Sequence, residues 1–167
     1  MEDASRADEE TVGAFEDFFE LERTKLHAAL VLLTRDGHEA EELMQDAFLR
    51  VLERWDRVGA MDDPVGYLYR TAMNLFRSRR RRAAMAMRRV VRPSGRMDEL
   101  ARVESNDIAV RALATLSPRQ RAAVVLVDVL GFTSEEAAGP LAVKASTVRV
   151  LLARGRAALR KEWTDHG

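Results

Sequence analysis

Apolar residues recur at helical spacing along most of the chain. From Thr11 to Thr34 they form a stripe along one side of a helix, and Asp36-Gly37 ends the segment. The stripe comprises Phe15, Phe18, Phe19, Leu26, Leu30 and Leu33. The pattern predicts a second helix from about His38 to Trp55, a loop from Asp56 to Asp63 and a third helix that begins at Pro64, where a missing N–H costs nothing. The fold class expected from this pattern is all-α.

Two capping boxes organise the C-terminal part. The first is Ser117-Pro118-Arg119-Gln120, which supplies an N-cap, a proline at the first helical position and a glutamine at the third. The second follows Gly131, a residue that commonly ends a helix, and is Thr133-Ser134-Glu135-Glu136, with a threonine N-cap and a glutamate at the third position. A turn near Ala142-Val143 then leads to a last helix. Its inner face would consist of Val148, Leu151, Leu152, Gly155 and Leu159. The pattern predicts a helix-turn-helix, and Pro140 is expected to end or kink its first helix early.

Two segments lack helical periodicity. Residues 1–10 are acidic and aperiodic, which favours a disordered tail, and Pro93-Ser94-Gly95 opens a charged stretch that predicts a flexible linker over residues 93–106. We therefore expect two small helical domains, residues 11–92 and residues 107–163. Fully extended, the linker would reach roughly 45 Å, more than the approximately 34–36 Å of one DNA turn.

The charges are segregated although the net charge is zero. Residues 1–22 hold nine acids, whereas residues 77–92 hold eight arginines and residues 144–161 hold six basic residues, both without an acid. Two separate basic surfaces favour a polyanion that is contacted at two places. The alternative is that both are solvated helix faces.

Composition excludes several classes of chemistry. The chain has no cysteine, which removes disulfides, thiolate metal sites and a cysteine nucleophile. Its apolar runs are far shorter than the roughly 18–20 residues that span a bilayer, and its acidic N-terminus is unlike a signal peptide, so we expect a cytoplasmic protein without membrane insertion. His38, Glu42 and Asp46 could share a metal, but there is no second ligand cluster and no glycine-rich phosphate loop. We expect no enzymatic activity, cofactor or metal.

Three segments resemble the bacterial sigma factors of the extracytoplasmic-function (ECF) type. Residues 38–51, HEAEELMQDAFLRV, are similar to the region that docks on the clamp helices of the polymerase β′ subunit, and residues 64–75, PVGYLYRTAMNL, to the segment that opens and reads the −10 element. The Ser117 start and the helix-turn-helix after Gly131 resemble the region that reads the −35 element and docks on the β flap. The match spans roughly residues 12–163. It lacks the large middle region of housekeeping sigma factors, as the ECF type implies.

The resemblance implies three sets of site residues. Polymerase binding falls on Glu41, Glu42, Gln45, Asp46, Phe48 and Leu49. The residues implied to contact the −10 element are Arg57, Asp63, Tyr67, Asn74, Arg77, Arg80 and Arg81. The residues implied to contact the −35 element are Lys144, Ser146, Thr147, Arg149, Val150 and Arg154. The alternative makes the acids of the first set a solvated face and Phe48 and Leu49 core; most of the aromatics Tyr67, Tyr69 and Phe76 would by their spacing also be core.

The sequence departs from the family pattern in the helix-turn-helix. Ala142 stands where relatives usually have glycine, Lys144 stands where they have a small polar N-cap, and Leu151 stands where many have arginine. The implied partners are RNA polymerase core and promoter DNA, and an anti-sigma factor is left open. The rival hypothesis is a conventional helix-turn-helix regulator with a sensing N-terminal domain, which would not need the basic cluster at residues 77–92. Binding to core polymerase without DNA would distinguish the two.

Overall fold

The computed structural model describes residues 2–89 and 108–165, with side chains for residues 11–88 and 108–164. Four helices form the N-terminal unit: α1 (Glu2–Thr34), α2 (Gly37–Leu52), α3 (Trp55–Val58) and α4 (Pro64–Arg89). Four more form the C-terminal unit: α5 (Ile108–Ala114), α6 (Pro118–Val124), α7 (Ser134–Leu141) and α8 (Ala145–Asp165). Every regular element in the described ranges is helical, so the all-α prediction is confirmed. The predicted linker at residues 93–106 lies outside the described residues.

The first helix is longer than the apolar pattern indicates. α1 begins at Glu2, whereas residues 1–10 are expected from the sequence to form a disordered tail. Glutamate and alanine, which make up five of the nine residues from Glu2 to Glu10, are good helix formers, and acids in a first turn interact favourably with the helix dipole. Helix propensity therefore extends α1 beyond the point where apolar periodicity stops.

An aromatic cluster holds the N-terminal unit together. Phe19 meets Phe48 edge-on with ring centroids 4.7 Å apart, and Phe15 and Phe18 both contact Trp55 at 5.4 and 5.0 Å. Edge-to-face aromatic pairs are each worth about 0.5–1.5 kcal/mol beyond the area they bury. Because Trp55 is anchored in this cluster, the chain forms the helical turn α3 where the sequence pattern predicts a loop from Asp56.

Both predicted capping boxes are present in the C-terminal unit. Ser117 Oγ accepts from the Gln120 amide at 3.3 Å, and Gln120 Oε1 accepts from the Ser117 amide at 3.2 Å. The equivalent distances for Thr133 and Glu136 are 3.1 and 2.7 Å, and the Thr133 amide lowers the pKa of Glu136. Between these boxes, α6 continues as a π-helical turn over Val125–Val129 and ends at Gly131, whose φ of 77° confirms it as the C′ residue.

The turn of the helix-turn-helix is made by an alanine in a conformation that favours glycine. α7 runs through the buried Pro140 and ends one residue later, at Leu141. Ala142 then adopts a left-handed conformation with φ 53° and ψ 43°. A side chain with a Cβ destabilises this conformation by roughly 1–2 kcal/mol. The departure from the family pattern at this position therefore carries a local conformational cost.

The two units share one hydrophobic core. α4 packs against α7, and α1 packs against α5, α6 and the π-helical turn. At the first contact the rings of Tyr69 and Phe132 meet with centroids 5.3 Å apart. The sequence predicts two domains, and it does not predict that they pack against each other.

A buried arginine crosses the boundary between the units. The Arg121 guanidinium donates from Nε to the Leu113 carbonyl at 2.9 Å, from Nη2 to Leu116 at 3.1 Å and from Nη1 to Leu33 at 3.1 Å. Burial, together with the charges of Arg35 and Arg80, lowers the pKa of Arg121 to about 10, so the group remains charged at neutral pH. Carbonyls at the ends of α1 and α5 carry partial negative charge and stabilise it.

Replacing Ala142 by glycine should stabilise the protein. Ala142→Gly removes the left-handed penalty and should raise the free energy of unfolding by about 1 kcal/mol. Gly131→Ala is the matched control: the added Cβ meets nothing within 4 Å, so its expected loss of about 1 kcal/mol comes from the positive φ alone. Urea unfolding followed by circular dichroism measures both changes. Destabilisation by Ala142→Gly would contradict the turn geometry.

Candidate nucleic-acid and protein interfaces

Helix α2 has one core face and one exposed polar face. Its buried residues are Ala40, Leu43, Met44, Ala47, Phe48 and Val51. On the other side Leu49 is 57% exposed, Glu42 and Gln45 are exposed, and Glu41 and Asp46 are half-buried. Gln45 Nε2 donates to Glu41 Oε1 at 3.0 Å. We call these five residues the α2 outward face; they combine carboxylates and an amide with an exposed leucine.

Phe48 does not belong to this face. Its side chain is buried and contacts the rings of Phe15, Phe18 and Phe19. The helical turn places Phe48 beside Met44 and Val51, on the side that packs against α1. The structure therefore favours the core alternative for Phe48 and corrects its assignment to the binding set.

Arg79 connects the acids of α2 to the basic run of α4. It donates from Nη1 to Glu42 Oε2 at 3.0 Å and from Nη2 to Asp46 Oδ2 at 2.8 Å. Burial alone would lower the pKa of Arg79, but the hydrogen bonds to Asp46 and Glu42 raise it above its ordinary value. Sequence reasoning missed this role, although Arg79 follows Ala72 and Phe76 at inward helical spacing. One arginine of the predicted DNA-binding cluster instead holds two carboxylates in place.

The same ion pairs bear on the metal-site alternative. His38 Nε2 lies 3.6 Å from Glu42 Oε1, but Glu42 and Asp46 are both paired with Arg79. Within the described ranges, no group of three or more histidine, aspartate and glutamate side chains is arranged to hold a metal ion. In the same residues no helix is both long and apolar enough to cross a membrane.

The middle of α4 carries a cationic surface beside a cleft. Arg80 and Arg81 are exposed, Arg77 is half-buried, and Arg77 donates to Asn74 Oδ1. Burial and the charge of Arg81 lower the pKa of Arg77, and its Nη1 is buried without a hydrogen-bond partner among the described residues. A cleft of about 700 Å³ lies between this surface and the C-terminal unit, and Arg119 lines its far side. Four arginines therefore line one cleft.

A second pocket lies at the start of α4. Arg50, Arg54, Tyr67 and Asn74 line about 500 Å³ there. Arg54 Nη1 donates to Tyr67 Oη at 3.1 Å, and this hydrogen bond lowers the pKa of the phenol. Arg57 also contributes to the lower pKa of Tyr67. The pocket thus combines an aromatic ring, an amide, three arginines and one acid, Glu53.

Asp63, a residue of the predicted −10 set, has a structural role at the start of α4. Asp63 Oδ1 accepts from the Gly66 amide at 2.7 Å, which makes Asp63 the cap of α4, and a Cβ at Gly66 would lie only 1.9 Å from Asp63 Oδ2. Tyr69 and Phe76 are buried, in agreement with the core alternative for these aromatics. Tyr67 is the half-buried member of the three.

Helix α8 presents the predicted −35 residues to solvent. Val148 and Leu152 are buried, and Gly155 allows a close approach to α6, since a Cβ there would lie 2.9 Å from Val124 Cγ2. On the opposite side the exposed residues are Lys144, Ser146, Arg149, Val150 and Arg154, and Thr147 is half-buried. The packing explains why these side chains share the outer side of the helix.

Two arginines of α8 are paired with acids of the same unit. Arg149 forms an ion pair with Glu135 on α7. Arg156 makes a two-point contact with Asp128, at 3.0 Å from Nε and 2.5 Å from Nη2. The acid-free basic cluster of the sequence is therefore partly neutralised in space.

Comparison with known proteins gives two family matches. Residues 18–85 match the model for sigma-70 region 2, and residues 107–159 match the model for sigma-70 region 4. The chain is 34% identical over 152 residues to the ECF RNA polymerase sigma factor SigM of Mycobacterium tuberculosis, which covers 89% of this chain and 76% of that protein. It is 28% identical to the RNA polymerase sigma-E factor of Streptomyces coelicolor, with 89% and 85% covered.

Solved structures share the fold. The sigma factor RpoE of Bartonella quintana, in complex with the anti-sigma factor NepR, superimposes with a TM-score of 0.70 at 23% identity, covering 88% of this chain and 94% of that one. CnrH in complex with the cytosolic domain of CnrY gives a TM-score of 0.65 at 23% identity, covering 92% and 89%.

Truncation of two adjacent residues of α2 should change the stability of the protein by very different amounts. Phe48→Ala should lower the free energy of unfolding by about 3–5 kcal/mol because it leaves a cavity among the phenylalanines of α1. Leu49→Ala, at an exposed position, should change it by less than about 0.5 kcal/mol. Urea unfolding measures both. Equal losses would show that Leu49 is also core and would remove it from the α2 outward face.

Proposed function

The chain belongs to the ECF RNA polymerase sigma factors, and we propose that it binds core polymerase through the α2 outward face and reads promoter −10 and −35 elements with its two units. Sigma factors direct transcription initiation by RNA polymerase. The catalytic chemistry belongs to the polymerase, so we expect no enzymatic activity of this chain alone. Promoter binding together with polymerase is expected to take place in the cytoplasm.

The proposal for polymerase binding rests on the exposed Leu49, which lies among acidic side chains that are held in place by hydrogen bonds and ion pairs. Gln45 and Glu41 are hydrogen-bonded to each other, while Arg79 holds Glu42 and Asp46. Side chains that are already held lose less conformational entropy when a partner binds. A leucine surrounded by acids fits a partner surface that combines an apolar contact with basic residues, and we assign this surface to the β′ clamp helices.

We assign the −10 element to the N-terminal domain predicted from the sequence, residues 11–92. Arg77, Arg80 and Arg81 would contact phosphates, while Tyr67 and Asn74, with Arg57 and Asp63 nearby in the chain, would lie along the non-template strand. Removing a base from the DNA stack costs a few kcal/mol, which an aromatic face and an amide can offset. The pocket lined by Tyr67 and Asn74 offers both groups.

We assign the −35 element to the C-terminal domain predicted from the sequence, residues 107–163, which also includes the surface for the β flap. Arg149 and Val150 lie in the first turns of α8 and are exposed, which is where a recognition helix meets base edges. Arg149 must exchange its partner Glu135 for DNA, an exposed pair that costs little to break. Lys144, Ser146, Thr147 and Arg154 complete the set.

An anti-sigma factor is a further proposed partner. Both solved structures named above contain a sigma factor with an anti-sigma factor. The shared fold supports an anti-sigma factor as a partner of this chain.

Core polymerase should retain the protein in the absence of DNA. In a pull-down with purified core enzyme, Leu49→Ser should weaken retention at least tenfold because it removes the apolar contact. Leu21→Ser is the matched control, since Leu21 is an exposed leucine on α1 outside the proposed surface. No retention of the wild-type protein, or equal retention of all three proteins, would contradict polymerase binding through this face.

Arg149→Ala should alter promoter choice. Loss of a bidentate base contact costs about 1–3 kcal/mol at one or two positions of the −35 element and should relax specificity there. Arg160→Ala, near the far end of α8, should weaken binding uniformly across sequences by loss of a phosphate contact. Binding of each variant to a library of −35 sequences separates the two effects. Equal, sequence-independent losses would remove the base-reading role of Arg149.

A further inference from the structure

Four arginines line the cleft of about 700 Å³ between α4 and the C-terminal unit, and none of the described residues that line it is acidic. These cleft arginines are Arg77, Arg80 and Arg81 of α4 and Arg119 in the first turn of α6. Two arginines of α8 are paired with acids of their own unit. Within the described ranges no acid lies close enough to any cleft arginine to form an ion pair. Their charges are therefore available to an external anion.

Arg77 has an unsatisfied donor beside this cleft. Its Nη2 donates to Asn74 Oδ1, but its Nη1 is buried without a hydrogen-bond partner among the described residues. Burial and the neighbouring charge of Arg81 lower the pKa of Arg77. A buried donor without an acceptor is destabilising, and like charges repel each other. A small rotation of the guanidinium toward an anion in the cleft would supply the acceptor and offset the repulsion.

Apolar side chains line the cleft beside the arginines. Met73 and Phe76 come from α4, and Leu141 and Val143 come from the end of α7 and the turn before α8. The guanidinium carbon of Arg80 lies 5.6 Å from the centre of the Phe76 ring. Sites of about 300–1,000 Å³ that combine apolar walls with a few polar groups are typical of small organic ligands. The cleft therefore fits a molecule with a ring at one end and several negative charges at the other.

We propose that this cleft binds a nucleoside polyphosphate, whose phosphates contact the cleft arginines and whose base contacts the apolar side chains. Arginine forms paired hydrogen bonds with phosphate oxygens, and its planar group stacks on rings. A chain of phosphates can contact cations from both α4 and α6, whereas a single carboxylate would leave most of them without a counter-charge. A DNA duplex, whose major groove alone is about 12 Å wide, is too large for a cleft of about 700 Å³.

Arg119 allows nucleotide binding to be tested separately from DNA binding. The three cleft arginines of α4 also belong to the set proposed for the −10 element, so a nucleotide and DNA would compete for them. Arg119 lines the cleft from α6, is exposed, and belongs to neither set proposed for promoter contacts. Nucleotide binding itself requires neither polymerase nor a promoter.

Isothermal titration calorimetry of the full chain with adenosine triphosphate and with guanosine triphosphate tests the proposal. The buffer contains EDTA, because no carboxylate among the described residues lines the cleft to hold Mg²⁺. At least one of the two nucleotides should bind, and Arg119→Ala should weaken its affinity at least tenfold. Arg82→Ala is the matched control, since Arg82 is exposed beside Arg81 on α4 but does not line the cleft. It should change the affinity less than twofold.

Inorganic tripolyphosphate and the free nucleoside test the two parts of the ligand on the wild-type protein. Each should bind at least tenfold more weakly than the nucleotide. The proposal is overturned if neither nucleotide binds, if tripolyphosphate binds as tightly as the nucleotide, or if Arg119→Ala weakens binding no more than Arg82→Ala. Because the titrations contain no polymerase or DNA, their failure and a failure to direct transcription are separate results.

Discussion

The relation between the two units depends on one buried guanidinium. A buried positive charge must have its donors satisfied, and Arg121 meets this requirement with carbonyls from the end of α1, the end of α5 and the loop at Leu116. The carbonyl of Leu33 is 88 positions away in the chain. Because these carbonyls are fixed by helix ends, the arginine sets where the C-terminal unit lies against α1, and the shared core follows from that placement.

Ion pairs in the folded protein neutralise part of each basic cluster that the sequence shows. The run at residues 77–92 contains no acid, yet Arg79 holds Glu42 and Asp46. The basic cluster of α8 is similarly paired through Arg149 and Arg156. Four other arginines, Arg77, Arg80, Arg81 and Arg119, line the cleft between the units. The arginines proposed to contact phosphates near the −10 element therefore lie at the boundary where the units meet, whereas the cations of α8 do not line this cleft.

Local signals predicted the elements well, and tertiary contacts explain the rest. Ser117, Thr133 and Gly131 act through backbone groups a few residues away, so their roles could be predicted from spacing alone. Inward spacing could have placed the side chains of Arg79 and Arg121 toward the interior, but their partners come from other helices. Trp55 likewise lies at the end of a predicted helix, and only its contact with Phe15 and Phe18 explains the turn α3. The predicted roles of the promoter-binding residues depend on partners outside the chain.

Transcription from a promoter library is the most direct measurement of the central claim, that this chain gives core polymerase promoter specificity through two separately recognised elements. Core polymerase with the purified protein should produce run-off transcripts from a subset of templates that share two motifs, one near −10 and one near −35. Core polymerase alone should not select that subset. Transcripts whose distribution is unchanged by addition of the protein would contradict the account.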